Sequence, residues 1–86
     1  MEEKFISSEK LFETSHFSLA CYLYYLGFRL EGISGEDKKI FYFRRDVGLD
    51  DAIQKFWRKE ALVEPEAFLL VVKTLKSRLY DFDRKL

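Results

Sequence analysis

The stretch Lys38 to Asp46, "KKIFYFRRD", sets three aromatic side chains in a row between paired cations. Isoleucine and aromatic rings at this density favour an extended chain. In a strand Lys38, Ile40, Tyr42 and Arg44 share one face, and Lys39, Phe41, Phe43 and Arg45 share the other. Each face then carries two apolar positions bracketed by two cations. The pattern fits the central strand of an aromatic core with charged ends. It also fits a platform that stacks the bases and neutralises the phosphates of single-stranded nucleic acid, provided helices cover only one face. The core reading is the stronger, because large aromatic side chains are mostly buried.

Working outward, "FRLEGI" alternates Phe28 and Leu30 with Arg29 and Glu31, and Ser34-Gly35-Glu36-Asp37 follows it. This predicts a hairpin of strands 28–33 and 38–45 with a short Gly-containing loop. Before it, "TSHFSLACYLYYLG" predicts a helix over about 15–26, with Thr14 or Ser15 as its N-cap and Gly27 closing it in the left-handed conformation. Phe17, Leu19, Ala20, Cys21, Leu23, Tyr24 and Leu26 leave this helix almost no polar face, so it is expected to be buried on most sides. A short strand near 10–13 precedes it. After the hairpin, Asp46, Val47 and Gly48 make a turn. A helix over 49–60 then places Leu49, Ala52, Ile53, Phe56 and Trp57 on one stripe. Pro65 opens a last helix over 65–82, where Phe68, Val71, Val72, Leu75, Leu79 and Phe82 recur at helical spacing. The predicted class is α+β: a small antiparallel sheet packed with three helices. The 86 residues make a single domain, 1–86, with 1–9 a weakly ordered or extended N-terminal segment.

With 48% hydrophobic and 17% aromatic residues, the chain can build a core without disulfide or metal staples. One cysteine, Cys21, and one histidine, His16, exclude an intrachain disulfide and a Cys/His zinc cage. No apolar run approaches a membrane span, and the acidic, polar start is unlike a signal peptide. A soluble, cytoplasmic protein is expected. The net charge is zero, although residues 1–37 carry −4 and residues 38–86 carry +4. This balance excludes a strongly basic protein that holds nucleic acid by charge alone.

Chemistry has few carriers. His16 and Cys21 point to different faces of their helix, and no third side chain is placed to orient the imidazole. Cys21 reads as a small buried hydrophobe and His16 as a surface or capping-region residue. Asp46, Asp50 and Asp51 do not have calcium-loop spacing and read as cap and dipole residues. The four glycines form no phosphate-binding fingerprint. No enzyme, cofactor or metal site is predicted.

Phe12, Thr14, Ser15, Leu19, Ala20, Leu23 and Gly27, followed by Phe41, Phe43, Asp46 and Leu49, resemble a family of small uncharacterised prokaryotic domains found in bacteria, archaea and their mobile elements. That pattern reads Phe-x-Thr-Ser/Thr-Asp-x-x-Leu-Ala-x-x-Leu, then Gly, an aromatic strand ending in an acid, and a helix beginning Leu-x-Asp/Glu. His16 stands where the family usually has Asp. The resemblance runs from about Phe12 to Leu79. It implies the architecture, carries no activity, and its mobile-element setting tilts towards nucleic-acid handling.

The function expected from all this is a small non-enzymatic interaction module acting through protein–protein contacts. Its partner is a second copy in a homodimer, through aromatic surface of the hairpin or the Trp57 helix, or another protein. The alternative is a weak nucleic-acid-binding accessory protein of a mobile element, using strand 38–45 and helix 49–60. The candidate surface for either consists of Lys38, Tyr42, Arg44, Lys55, Trp57, Arg58 and Lys59.

Overall fold

The computed structural model describes residues 10–84, so the expectation for residues 1–9 lies outside the described residues. The elements run β1 (Leu11–Thr14), α1 (Phe17–Tyr25), β2 (Leu30–Ser34), β3 (Ile40–Arg44), α2 (Leu49–Trp57) and α3 (Pro65–Arg84). The strands form one antiparallel sheet in the order β1-β3-β2, which makes the aromatic strand the central one. The fold is α+β, as the residue patterns predict.

Alternation along β3 decides how the layers stack. Phe41 and Phe43 are 1% and 0% exposed, Ile40 and Tyr42 are half-buried, and Arg44 is exposed. The helices therefore lie on the Phe41/Phe43 face. Lys39 shares that face and reaches Asp83 of α3 at 3.1 Å, with Phe82 beside it. Among the described residues no helix covers the Tyr42 face. In β2 the register slips between Leu30 and Gly32, a bulge that turns Glu31 towards Arg44, 2.9 Å away.

The core joins Leu19 to Leu23 of α1 with Phe41, Phe43, Leu49, Ala52 and Leu75. Aromatic contacts tie the layers together. Phe17 meets Phe41 at 6.1 Å, Tyr22 meets Phe56 at 6.0 Å, and Tyr25 meets Phe68 at 5.9 Å. The hydroxyl of Tyr25 also accepts the Glu64 N–H at 3.0 Å, which fixes the start of α3 to the end of α1.

The helix ends correct several expectations. The N-cap of α1 is His16, not Thr14 or Ser15: its Nδ1 accepts the Leu19 N–H at 3.3 Å, while Thr14 Oγ1 accepts the N–H of His16 itself at 3.0 Å. Aspartate is itself a preferred N-cap residue, and at this position a ring nitrogen of His16 makes the capping bond. The helix consequently spans Phe17–Tyr25 instead of 15–26. Gly27 closes it as expected, at φ 99°, donating to Tyr24 O while Phe28 donates to Leu23 O.

For α2 the N-cap is Gly48, without a side-chain cap, and Asp46 instead accepts the Val47 N–H. Its other end falls at Trp57 rather than 60, because Lys59 adopts φ 62° and the same two closing bonds form, Lys59 to Phe56 O and Glu60 to Lys55 O. At α3, Glu64 caps the helix, its carboxylate accepting the N–H groups of Glu66 and Ala67 at 3.2 and 2.7 Å. Pro65 takes the first position, where its missing N–H costs little. The helix continues to Arg84, past the expected 82. The strands are shorter than the predicted 28–33 and 38–45 because Phe28, Arg29, Lys38 and Lys39 serve the connections. The first strand sits one residue later than 10–13.

Two left-handed caps of opposite quality allow a paired test. A Cβ at Gly27 would meet nothing within 4 Å, so Gly27→Ala carries only the backbone cost, about 1 kcal/mol of stability lost. Lys59→Gly removes the same cost and is expected to gain up to about 1 kcal/mol. Gly35→Ala should exceed both, since a Cβ there runs into the Lys38 carbonyl oxygen. Denaturant unfolding of the three variants measures the signs and the order.

Candidate functional site

The residues expected to form one surface are divided by the fold. Tyr42 and Arg44 belong to the β3 face that carries no described helix and Lys38 lies in the loop before β3, whereas Lys55, Trp57, Arg58 and Lys59 lie along α2 and its closing turn, which pack on α1. The sheet thus stands between the two groups.

On the sheet side, the one ring of β3 on that face is tied down. Tyr42 Oη and Ser34 Oγ share a hydrogen bond of 2.8 Å, Glu13 of β1 lies directly opposite Tyr42, and Arg44 is paired with Glu31. Around α2, Lys55 faces Asp51 at 3.6 Å, and Arg45 both reaches Asp50 at 3.1 Å and covers the Phe12 ring. These are exposed pairs, each contributing at most about 1 kcal/mol. They nonetheless offset the field of the cations that an anionic ligand would meet.

Trp57 does not follow the buried stripe of α2. It is 56% exposed at the helix end, where His16 and Phe56 meet it edge-on at 5.0 and 5.1 Å. His16 also stands edge-on to Phe56 at 5.4 Å, so the capping imidazole is held by packing as well as by its hydrogen bond. A shallow groove of about 660 Å³ runs past these rings to Lys59 and Ala61.

The surface that sequence reasoning missed lies on α3. Leu69 and Leu70 are 61% and 64% exposed and, with Glu66, Val72, Lys73 and Lys76, line a groove of about 530 Å³. The run Phe68-Leu69-Leu70-Val71-Val72 held the signal. Five consecutive apolar residues reach round a helix, so unless the helix is enclosed, as α1 is, some of them face away from the core.

The two candidates for covalent or acid–base chemistry differ: His16 is exposed beside the Trp57 groove, and Cys21 is buried. His16 Nδ1 is occupied by the α1 cap. Cys21 is fully buried, and burial pushes its thiol up to about 11 against a smaller opposing effect of the Lys76 charge. Among the described residues, no group of three or more His, Cys, Asp or Glu side chains could hold a metal ion, and no helix is long and apolar enough to cross a membrane.

The fold and its surfaces define a small α+β domain with a three-stranded sheet backed by helices. Residues 9–81 match the family described as a domain of unknown function (DUF5659), and the chain belongs to that family. No curated protein and no solved structure matches it.

The state of Cys21 has a measurable consequence. The folded chain holds the thiol proton more tightly than the unfolded chain, whose thiol keeps the ordinary value of 9.0, so this contribution to stability is complete below pH 9.0 and is lost as pH rises through about 11. Unfolding measured across that range should show a steeper loss in the parent than in Cys21→Ala. A thiol reagent at neutral pH should react only as fast as the domain opens.

Proposed function

We propose that the domain is a non-enzymatic interaction module that self-associates through protein–protein contacts. The observation that carries this reading is the outward pair Leu69 and Leu70 on a helix whose other face builds the core. Apolar side chains standing together in water favour a covering partner, and a second copy is the partner always present. Support for the non-enzymatic part comes from Cys21, whose thiol is buried in the core, and from His16, whose Nδ1 is taken up by the α1 cap. A cytoplasmic setting and a prokaryotic, mobile-element origin belong to the same reading and rest on the residue pattern from Phe12 to Leu79.

Light scattering at micromolar concentration tests it. The expected mass is twice the 10.3 kDa of the chain, and a strict monomer overturns the proposal.

Weak nucleic-acid binding is the second reading, favoured by the Tyr42 face that no described helix covers. It ranks lower because Arg44 meets Glu31 and Tyr42 meets Ser34 there. Labelled single- and double-stranded DNA and RNA should bind, if at all, only at low salt, and less to Arg44→Glu/Arg58→Glu. Equal binding by the charge-reversed protein removes this reading.

A further inference from the structure

The core uses one face of α3, made by Phe68, Val71, Val72, Leu75 and Leu79. A different face carries Glu66, Leu69, Leu70 and Lys73, at the i, i+3, i+4, i+7 spacing of a single stripe. All four are exposed. Along this stripe an anion stands one turn before the leucines and a cation one turn after them.

That order is complementary to itself in one orientation. If a second α3 lies antiparallel, with a twofold axis passing between Leu69 and Leu70, each Leu69 meets the other copy's Leu70. Each Glu66 then meets the other copy's Lys73, and symmetry makes the ion pair twice. A parallel arrangement would set Glu66 against Glu66 and Lys73 against Lys73, like charges that disfavour it.

We infer that the domain dimerises through antiparallel packing of α3 on α3 about Leu69 and Leu70, with reciprocal Glu66–Lys73 pairs setting the register. This rests on the self-association proposed above and gives it a surface and a geometry. It moves the interface from the aromatic hairpin and Trp57 to an aliphatic helix face. Two short helix faces bury less than the ~1,200–2,000 Å² of a standard interface, so a dissociation constant on the order of micromolar is expected.

Sedimentation of the full chain and its variants over a range of concentrations tests this. Leu70→Glu should weaken the dimer by about tenfold or more, because it places a charge in the apolar centre of the contact. Glu66→Lys alone and Lys73→Glu alone should each weaken it by about tenfold, since each creates two like-charge contacts. An equimolar mixture of those two variants should recover association to within about threefold of the parent, because lysine then faces glutamate at both ends of the pair. These positions are exposed, and unchanged circular dichroism checks that the fold persists. A parent dimer that Leu70→Glu leaves intact, or single charge variants that fail to recover on mixing, overturns the α3 interface and leaves self-association standing. A parent that stays monomeric overturns both, and assigns the leucine face to a different partner.

Discussion

Five consecutive residues of α1, Leu19 to Leu23, are each at most 5% exposed. At 3.6 residues per turn, five successive positions point in every direction around the helix axis. A helix buried in this way cannot lie on a surface and has to be enclosed. The sheet reaches it through Phe41, α2 through Phe56 and α3 through Phe68, each ring meeting an aromatic side chain of α1. Each fully buried leucine or phenylalanine of that assembly contributes about 1.5–3 kcal/mol. The domain is therefore organised around its shortest class of helix, nine residues long.

Enclosure of α1 also decides the character of the sheet. The described helices collect on the face that holds Phe41 and Phe43, so the other face of β3 has a different solution. There Tyr42 bonds to Ser34 and Arg44 to Glu31, the β2 bulge bringing Glu31 within reach. The alternation in "KKIFYFRRD" thus separates two environments, one apolar and one hydrogen-bonded. The three aromatic residues differ in kind for this reason: the two phenylalanines go to the core, and the one ring with a hydroxyl goes to the polar side.

Most of this was legible in sequence where a residue type has a single strong use. Gly27 at φ 99°, Pro65 at the first helical position and the period of two in β3 are examples. The misreadings fall where a residue does an uncommon job. A histidine is a rare N-cap, and a lysine at φ 62° gives no sign of ending a helix, so α1 and α2 came out shorter than expected. The Tyr25–Glu64 hydrogen bond joins residues 39 positions apart, which no local pattern can reveal. The candidate surface failed to hold together for a related reason. Lys38, Tyr42 and Arg44 are close in sequence to Lys55, Arg58 and Lys59, but the chain crosses from the sheet to the helical layer between them. Leu69 and Leu70 were hidden by their neighbours, since an unbroken apolar run does not say which of its members turns outward.

The length of α3 links the core to the outward face. At 1.5 Å per residue its 20 residues extend about 30 Å, while the nine-residue helices it accompanies extend about 14 Å. Along that length only Leu75 is completely buried; its neighbours on the same stripe are partly covered. A helix that outruns its core has apolar surface to spare at a low cost to the fold, because the residues that hold the domain together are a separate set from those that face water. In a domain this small the fraction of surface buried on folding is lower than in larger ones, and stability is correspondingly limited. A partner that covers the leucine face binds the folded chain and not the unfolded one, so it draws the folding equilibrium towards the native state by mass action. Were the domain to associate through α3 as proposed, association and stability would be coupled: the same helix closes the core on one side and offers, on the other, the surface by which a second copy would stabilise it.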